Sequence, residues 1–388
     1  MKVILSTVGR FHIFPLASEL EKQGVLERVY SGFPWRHLSR EGVSREKVRT
    51  FPWVRPLLMG ARHLPFPLPS SVVDWLHLVS VLTLDRYVAL TLPEADIYVG
   101  HEAVGLISGA AAQNRGMVYI CDRGCTHMAW RERTINEERA RFGLPAQKRP
   151  KTYEREIAEY AEADFIVLPS QIAKRSFLEE GVEEQKLVVV PYGVNLDKFR
   201  PEGQPDASGF DVLFVGGLSI RKGAQDLLDG FRAMPVAGKR LRIVGSVTEE
   251  AKLLLGEKLN QPDIELVGHV DHWKLKRVMS ESHVLVLPSI EDGFGMVVPE
   301  AMACGCPAIV SENAGAADII CDGQNGYVVP IRRPDLISEK LQLLAQDPAL
   351  RETMSQEALN TVQTLGGWED YGNKMFNVYK TTLAQRLS

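Results

Sequence analysis

The stretch Asp292-Gly-Phe-Gly-Met-Val-Val-Pro-Glu300, running on into Ala-Met-Ala-Cys-Gly-Cys-Pro307, sets two carboxylates around a turn with seven residues between them. An ionised carboxylate accepts several hydrogen bonds, so a pair of them in a dehydrated cleft suits the diols of a sugar and a ribose. Gly293 and Gly295 are expected to take unusual backbone dihedrals and to approach a ligand closely. A short helix should open near Met296 and present unpaired amides to an anion. Pro299 is tolerated in a first helical turn, and Gly305 with Pro307 should stop the helix. The spacing describes a grip for a sugar nucleotide.

A second stretch, Phe214-Val-Gly-Gly-Leu-Ser-Ile-Arg-Lys-Gly223, follows an apolar run and precedes a helical pattern over roughly Ala224 to Arg232. Glycines with two cations at a helix entry make a phosphate site. Backbone amides and the helix dipole favour the anion, and Arg221 or Lys222 adds full charge. No G-x-G-x-x-G follows an apolar run anywhere in the chain, which weighs against a nicotinamide or flavin enzyme.

These segments need a scaffold. Short apolar runs alternate with amphipathic stretches: 3–5, 96–99, 117–121, 165–168, 188–190, 212–215, 241–244, 264–267, 284–287, 308–310 and 326–329. Buried runs spaced by helical patterns imply parallel strands in α/β layers. A boundary is expected after Pro191-Tyr-Gly-Val-Asn-Leu-Asp-Lys-Phe-Arg-Pro201, where residues 202–209 are rich in Gly, Pro, Asp and Ser. The expectation is two Rossmann-like, doubly wound parallel-sheet domains, over 1–200 and 201–369, facing a central cleft. Such sheets bind ligands at the carboxyl ends of their strands.

The composition is that of a globular protein, 388 residues with 45% hydrophobic and 24% charged and a net charge of -4, and nothing in it suggests nucleic-acid binding. Five cysteines, an odd number and few for the length, argue for a reducing compartment without a disulfide framework. Cys304, Cys306 and Cys321 lack a second matching pair, so a zinc site is not expected. The apolar stretch 72–84 is broken by Asp74 and His77 and falls short of a membrane span. A soluble or peripheral protein is expected, with a cytoplasmic location. Against the acidic whole, residues 31–66 hold seven Lys or Arg and two Glu. Those cations interleave with Phe33, Trp35, Phe51, Trp53, Leu57, Leu58 and Phe66, a mixture suited either to an anionic membrane surface or to a basic acceptor loop packed on its own domain.

Taken together, these residues resemble the family 4 glycosyltransferases, retaining enzymes of the two-domain GT-B type. The matching pieces run in order from Ala163-Asp164 and Ser170 through Pro191-Tyr-Gly-Val-Asn195, Val215-Gly216, Lys222-Gly223, Val267-Gly268 and Leu287-Pro-Ser289 to the acidic motif and Asp322-Gly-Gln-Asn-Gly326. Trp368-Glu369 and a helix over about 370–388 resemble the family's terminal segment, which crosses back to the first domain.

The resemblance puts the family's E-x7-E motif on Asp292 and Glu300, so the first acid is here an aspartate, with Glu291 one place early. It implies that Asp292 and the Gly295, Met296 and Val297 backbone face the donor sugar, that Glu300 holds the ribose and that Lys222 neutralises the diphosphate. Where the family usually carries an arginine after Val-Gly, this chain has Gly217, so Arg221 is expected to supply the second cation. In the first domain, the loop with Gly9 and His12 resembles one that approaches the donor phosphate or the acceptor. His127 stands where the family often places a histidine near the reacting centre, with His101 as the competitor and Asp122 and Arg123 nearby.

The implied reaction transfers a sugar, with retention, from a nucleoside-diphosphate sugar to a hydroxyl of a saccharide or lipid-linked acceptor. Protein cations and helix amides are expected to stabilise the leaving diphosphate, with no metal and no cofactor. A sugar-nucleotide-binding protein without turnover would keep the same grip.

Overall fold

The computed structural model describes residues 1–61, 68–101 and 103–387, so Arg62 and Phe66 of the basic segment lie outside the described residues. In the first half, strands β1 (Val3–Thr7), β2 (Leu26–Ser31), β3 (Val48–Thr50), β4 (Ile97–His101), β5 (Val118–Asp122), β6 (Phe165–Leu168) and β7 (Leu187–Val189) form one sheet in the order β3-β2-β1-β4-β5-β6-β7. Every pairing is parallel. In the second half, β8 (Phe210–Val215), β9 (Lys239–Val244), β10 (Ile264–Gly268), β11 (Val284–Leu287), β12 (Ala308–Ser311) and β13 (Gly326–Val329) form a parallel sheet in the order β10-β9-β8-β11-β12-β13.

Burial explains the apolar runs. All residues of β1, β4, β5 and β11 are buried, as expected of parallel strands covered by helices on both faces. Two strands escaped the sequence reading. In β2, Glu27 and Arg28 interrupt the apolar pattern, and β3 is three residues long at the sheet edge.

Each sheet reverses its strand order once, between β1 and β4 in the first domain and between β8 and β11 in the second. At such a switch point the loops leaving neighbouring strands diverge and open a crevice. The loops after β1, β4 and β5 therefore form one wall and the loops after β8 and β11 the other.

The walls are tied together. Ser170 Oγ donates to the Gly293 carbonyl at 2.6 Å, the Gln171 amide donates to Asp318 at 2.7 Å, and Arg332 Nε donates to Glu138 at 2.6 Å. The helix Trp368–Leu387 packs its Tyr371, Met375 and Tyr379 into the first domain's core, and Gln23 donates to Asn373 at 2.8 Å.

The basic segment divides in two. Leu38, Val43 and Val48 are buried, Phe33 and Trp35 pack on the first domain's core, and Phe51 stacks on Tyr87 with ring centroids 4.8 Å apart. Trp53 and Leu57 stay exposed at 74% and 60% and are joined by Val72, Val73 and Trp75 of the helix Ser70–Thr91. Among the described residues no helix is long and apolar enough to cross a membrane.

Candidate active site

The second domain's wall is built by two loops that share a hydrogen bond. The amide of Ile290, after β11, donates at 2.9 Å to the carbonyl of Arg221, after β8. Gly223 makes this approach possible. Its φ is +68°, and a Cβ there would collide with the Pro288 carbonyl, so a side chain would push the cation-bearing turn off the acidic one. With the turns in contact, Lys222 Nζ pairs with Asp292 Oδ2, and both side chains are only partly exposed. Arg221 Nη1 reaches Glu291 Oε2 at 2.9 Å.

Glu291 is fully buried, accepts a 2.7 Å hydrogen bond from Thr126 of the first domain, and lies 3.5 Å from Arg131 Nε. Burial works against its charge, but Arg221, Arg131 and the Thr126 hydroxyl outweigh burial and hold the carboxyl below its ordinary range. Arg221 therefore reaches the cleft already neutralised by Glu291. A second buried acid beside Asp292 was visible in the sequence as a motif residue one place early. Its pairing across the domains was not.

Gly295 has φ +86° and leads through Met296 into the helix Val297–Ala303, whose first turn carries Glu300. Gly293 serves a different purpose from the one expected of it. Its φ is ordinary, and a Cβ there would meet Cys125 Cα at 2.6 Å, so it is small because the first domain's backbone touches it. Glu300 is half-buried, and among the described residues its carboxylate makes no hydrogen bond. Burial pushes its carboxyl up to about 8, against the pull of Lys198.

On the first domain's wall, His12, His101 and Asp122 come together with side chains no more than 4% exposed. His12 Nε2 lies 2.9 and 3.0 Å from the two Asp122 oxygens, and His101 Nδ1 lies 3.1 Å from Thr7 Oγ1. The His12 ring sits 4.5 Å from that of Tyr192 and 4.9 Å from that of His101. Burial disfavours the Asp122 anion, but His12, through charge and hydrogen bond, and His101 hold its carboxyl below the ordinary range. The ligand atoms of the three residues lie within 4.8 Å of one another, a spacing that also suits a metal ion. Gly9 is buried beside them, its amide donating to Thr7 Oγ1 at 2.9 Å.

Arg123 pairs with Glu156 and lies over the Tyr160 ring. His127 is not brought to the His12 cluster. It begins the helix Met128–Arg141, accepts from the Ala129 amide at 3.2 Å, and packs between Tyr160 and Phe177 with both centroids at 4.9 Å. Burial lowers its imidazole to about 4. The depression it lines, with Tyr153, Glu180 and Lys186, contains no residue of the second domain. Tyr192, in the Pro191–Asn195 motif, is the residue that joins His12 to Phe294 and to Tyr371 of the last helix.

Two parallel sheets with facing switch points are a fold shared with known proteins. Residues 196–361 match the family model described as "Glycosyl transferases group 1". Sucrose-phosphate synthase from Thermosynechococcus elongatus superposes with a TM-score of 0.74 at 20% identity, covering 99% of this chain and 100% of that one. Anabaena HepE in complex with UDP superposes with a TM-score of 0.71 at 14% identity, covering 98% and 100%. The fold is GT-B. In sequence, the GT-B chain is 24% identical over 246 residues to the capsular polysaccharide biosynthesis glycosyltransferase CapM of Staphylococcus aureus, 59% of this chain and 64% of that protein. It spans 45% to 64% of the length of the first curated relatives it matches. Its second domain is a glycosyltransferase domain.

Proposed function

We propose that the whole chain is a family 4 glycosyltransferase that moves a sugar, with retention, from a nucleoside-diphosphate sugar to a hydroxyl acceptor in polysaccharide assembly. The observation that carries this reading is Glu300, a half-buried carboxyl with no hydrogen-bond partner among the described residues, drawn up to about 8 by burial, in the first turn of the helix that follows the Lys222–Asp292 pair. A partly desolvated carboxylate without donors favours a ligand that supplies them, and a ribose diol supplies two. The complex of HepE with UDP supports a uridine nucleotide as the first ligand to try.

In this reading the donor diphosphate draws Lys222 from Asp292, and Asp292 is freed to accept from a hydroxyl of the donor sugar beside the Gly295, Met296 and Val297 backbone. The acceptor hydroxyl attacks from the face the diphosphate leaves, and the leaving oxygen takes its proton. Lys222 bears the charge released, with Arg221 as a second cation whose counterion Glu291 limits its share. No metal or organic cofactor enters the reaction. The membrane-facing reading rests on the exposed Trp53, Leu57, Val72, Val73 and Trp75, which suit peripheral attachment at the cytoplasmic face and a lipid-linked or glycan acceptor. The relation to a capsule-synthesis enzyme supports the same setting.

The test is thermal shift against UDP, GDP, ADP and their sugars, followed by transfer to a mixed acceptor pool. One nucleoside diphosphate should raise the midpoint, and Glu300→Ala should abolish the rise. A response to none of them defeats the reading, and binding without turnover by any acceptor reduces it to a sugar-nucleotide-binding protein.

A further inference from the structure

We propose that the acceptor is an anion, a phosphate- or diphosphate-bearing molecule, held in a basic cavity of the first domain that opens beside the donor cleft. The inference deepens the donor reading above by naming the chemistry of the other substrate. The cavity, about 770 Å³, lies between the helices Arg55–Ala61 and Ser70–Thr91 on one side and the helix Met128–Arg141 with the loop 144–152 on the other.

Among the described residues its lining holds six cations against three acids, Asp74, Glu132 and Glu156. The acids are already taken or too few. Glu156 pairs with Arg123, Glu132 receives Arg149 at 2.8 Å, and Arg139 turns to Glu250 of the second domain. Among the described residues Arg131 has only Glu291 at 3.5 Å, and that carboxylate is shared with Arg221 and Thr126. Lys148 is exposed at the rim with no ion pair among the described residues. Deeper in, Arg123 is 8% exposed, yet its Nε is buried without a hydrogen-bond partner. A guanidinium N–H removed from water and left unbonded is costly, and an anion in the cavity would relieve it while neutralising the excess of cations.

Position links the cavity to transfer. Cys125 lines it, and the same residue's Cα lies against the backbone of Gly293, next to Asp292. An acceptor anchored by its anionic group at Arg131 and Lys148 therefore extends past Cys125 to the acidic turn. At the outer end, Trp53 and Leu57 flank Arg55, and Trp75 follows Asp74, so apolar surface begins where the cavity ends. That continuity admits a lipid diphosphate as well as a soluble phosphate ester, with the same headgroup chemistry.

The probe is inorganic pyrophosphate, titrated calorimetrically into the full chain with and without saturating UDP. Two events are expected. One is displaced by UDP and lost in Lys222→Ala. The other survives UDP and weakens at least tenfold in Arg131→Gln with Lys148→Gln, and UDP affinity stays within twofold in Lys148→Gln alone. Lys148→Gln alone, an exposed change that leaves the fold intact, should weaken it severalfold. Pyrophosphate binding that UDP removes completely, or a second event indifferent to both substitutions, overturns the proposal. If UDP fails to bind and the Arg131-dependent event remains, the donor reading falls and the anion site stands. Farnesyl diphosphate assigns the source. Binding at least tenfold tighter than pyrophosphate, with the gain lost in Trp53→Ala, marks a lipid acceptor, and equal affinity marks a soluble one.

Discussion

The two switch points share one strand order and differ in what their loops leave unsatisfied. In the first domain His12 Nε2 and Asp122 pair behind a layer of Tyr192, Tyr371 and His101, with no exposure above 4%, and among the described residues only the far ring nitrogen of His12, Nδ1, finds no partner in that pair. In the second, Lys222 and Asp292 form a part-exposed pair and Glu300 has no hydrogen-bond partner among the described residues. The same topology thus yields a closed point, its acid paired with a buried histidine, and an open one, its Glu300 carboxyl without a donor among the described residues. The closed point is buried, and on the proposed reading the open one takes up charge and hydroxyls.

The largest effect should come from breaking the closed point. Asp122→Ala leaves His12 buried without its carboxylate, and removing one partner of a buried pair costs roughly 3–5 kcal/mol. Urea unfolding should show that loss. The pH dependence has a definite sign. The Asp122 carboxyl is held below its unfolded value of 3.8, so its contribution is present above that pH and lost as pH falls through the lower folded value. Asp122→Asn should unfold with a shallower acid limb than the parent. An unchanged denaturation midpoint in Asp122→Ala would end the contrast between the two points.

Next is Lys222→Ala, which should leave folding intact and lower transfer by about 10²–10³, the usual effect of removing one group aimed at developing charge. Steady-state kcat and KM for the donor check it. Arg221→Ala should cost less if Glu291 already neutralises that cation. Equal losses would mean that the two cations act alike and that the Glu291 contact opens when donor binds.

Gly293→Ala tests the seam between the points. Its Cβ would press on Cys125 Cα at 2.6 Å, and overpacking of this kind costs about 1–3 kcal/mol. The strain falls where the domains touch, so the two domains should unfold less cooperatively in calorimetry. A single sharp transition at the parent temperature would show that the seam yields freely.

The open point was the more legible in sequence. Its residues lie in two short stretches, and the glycines, cations and acids that form it are neighbours along the chain before they are neighbours in space. Strands such as β11 and β12 were readable because burial on both faces makes them uniformly apolar. β2 was not, because Glu27 and Arg28 break its pattern. The closed point was legible only in parts. Gly9, His12, His101 and Asp122 were each visible, but their union depends on β1, β4 and β5 lying side by side, a register that no local pattern states. His127 looked equivalent to them by position after β5. One further turn of chain carries it into the Tyr160–Phe177 pocket. Gly293 looked like a ligand-facing glycine because nothing in its own stretch announces that Cys125 will press on it.

The smallest and most discriminating effect concerns Glu300. In the empty protein its carboxyl is raised to about 8 by burial, so the neutral form is favoured below that pH. A diol donating two hydrogen bonds favours the anion, which lowers the value on binding. Nucleotide affinity should therefore rise with pH up to about 8, by at most tenfold per unit, and binding at pH 7 should release up to one proton. Calorimetry in two buffers of different ionisation enthalpy measures that release. Glu300→Gln should abolish it and flatten the pH profile while keeping the size of the side chain. A release that persists in Glu300→Gln would place the titrating group elsewhere, and affinity that falls with pH would mean the diol is met by a protonated carboxyl. Either result would mean that the open point does not meet its ligand through an ionising Glu300.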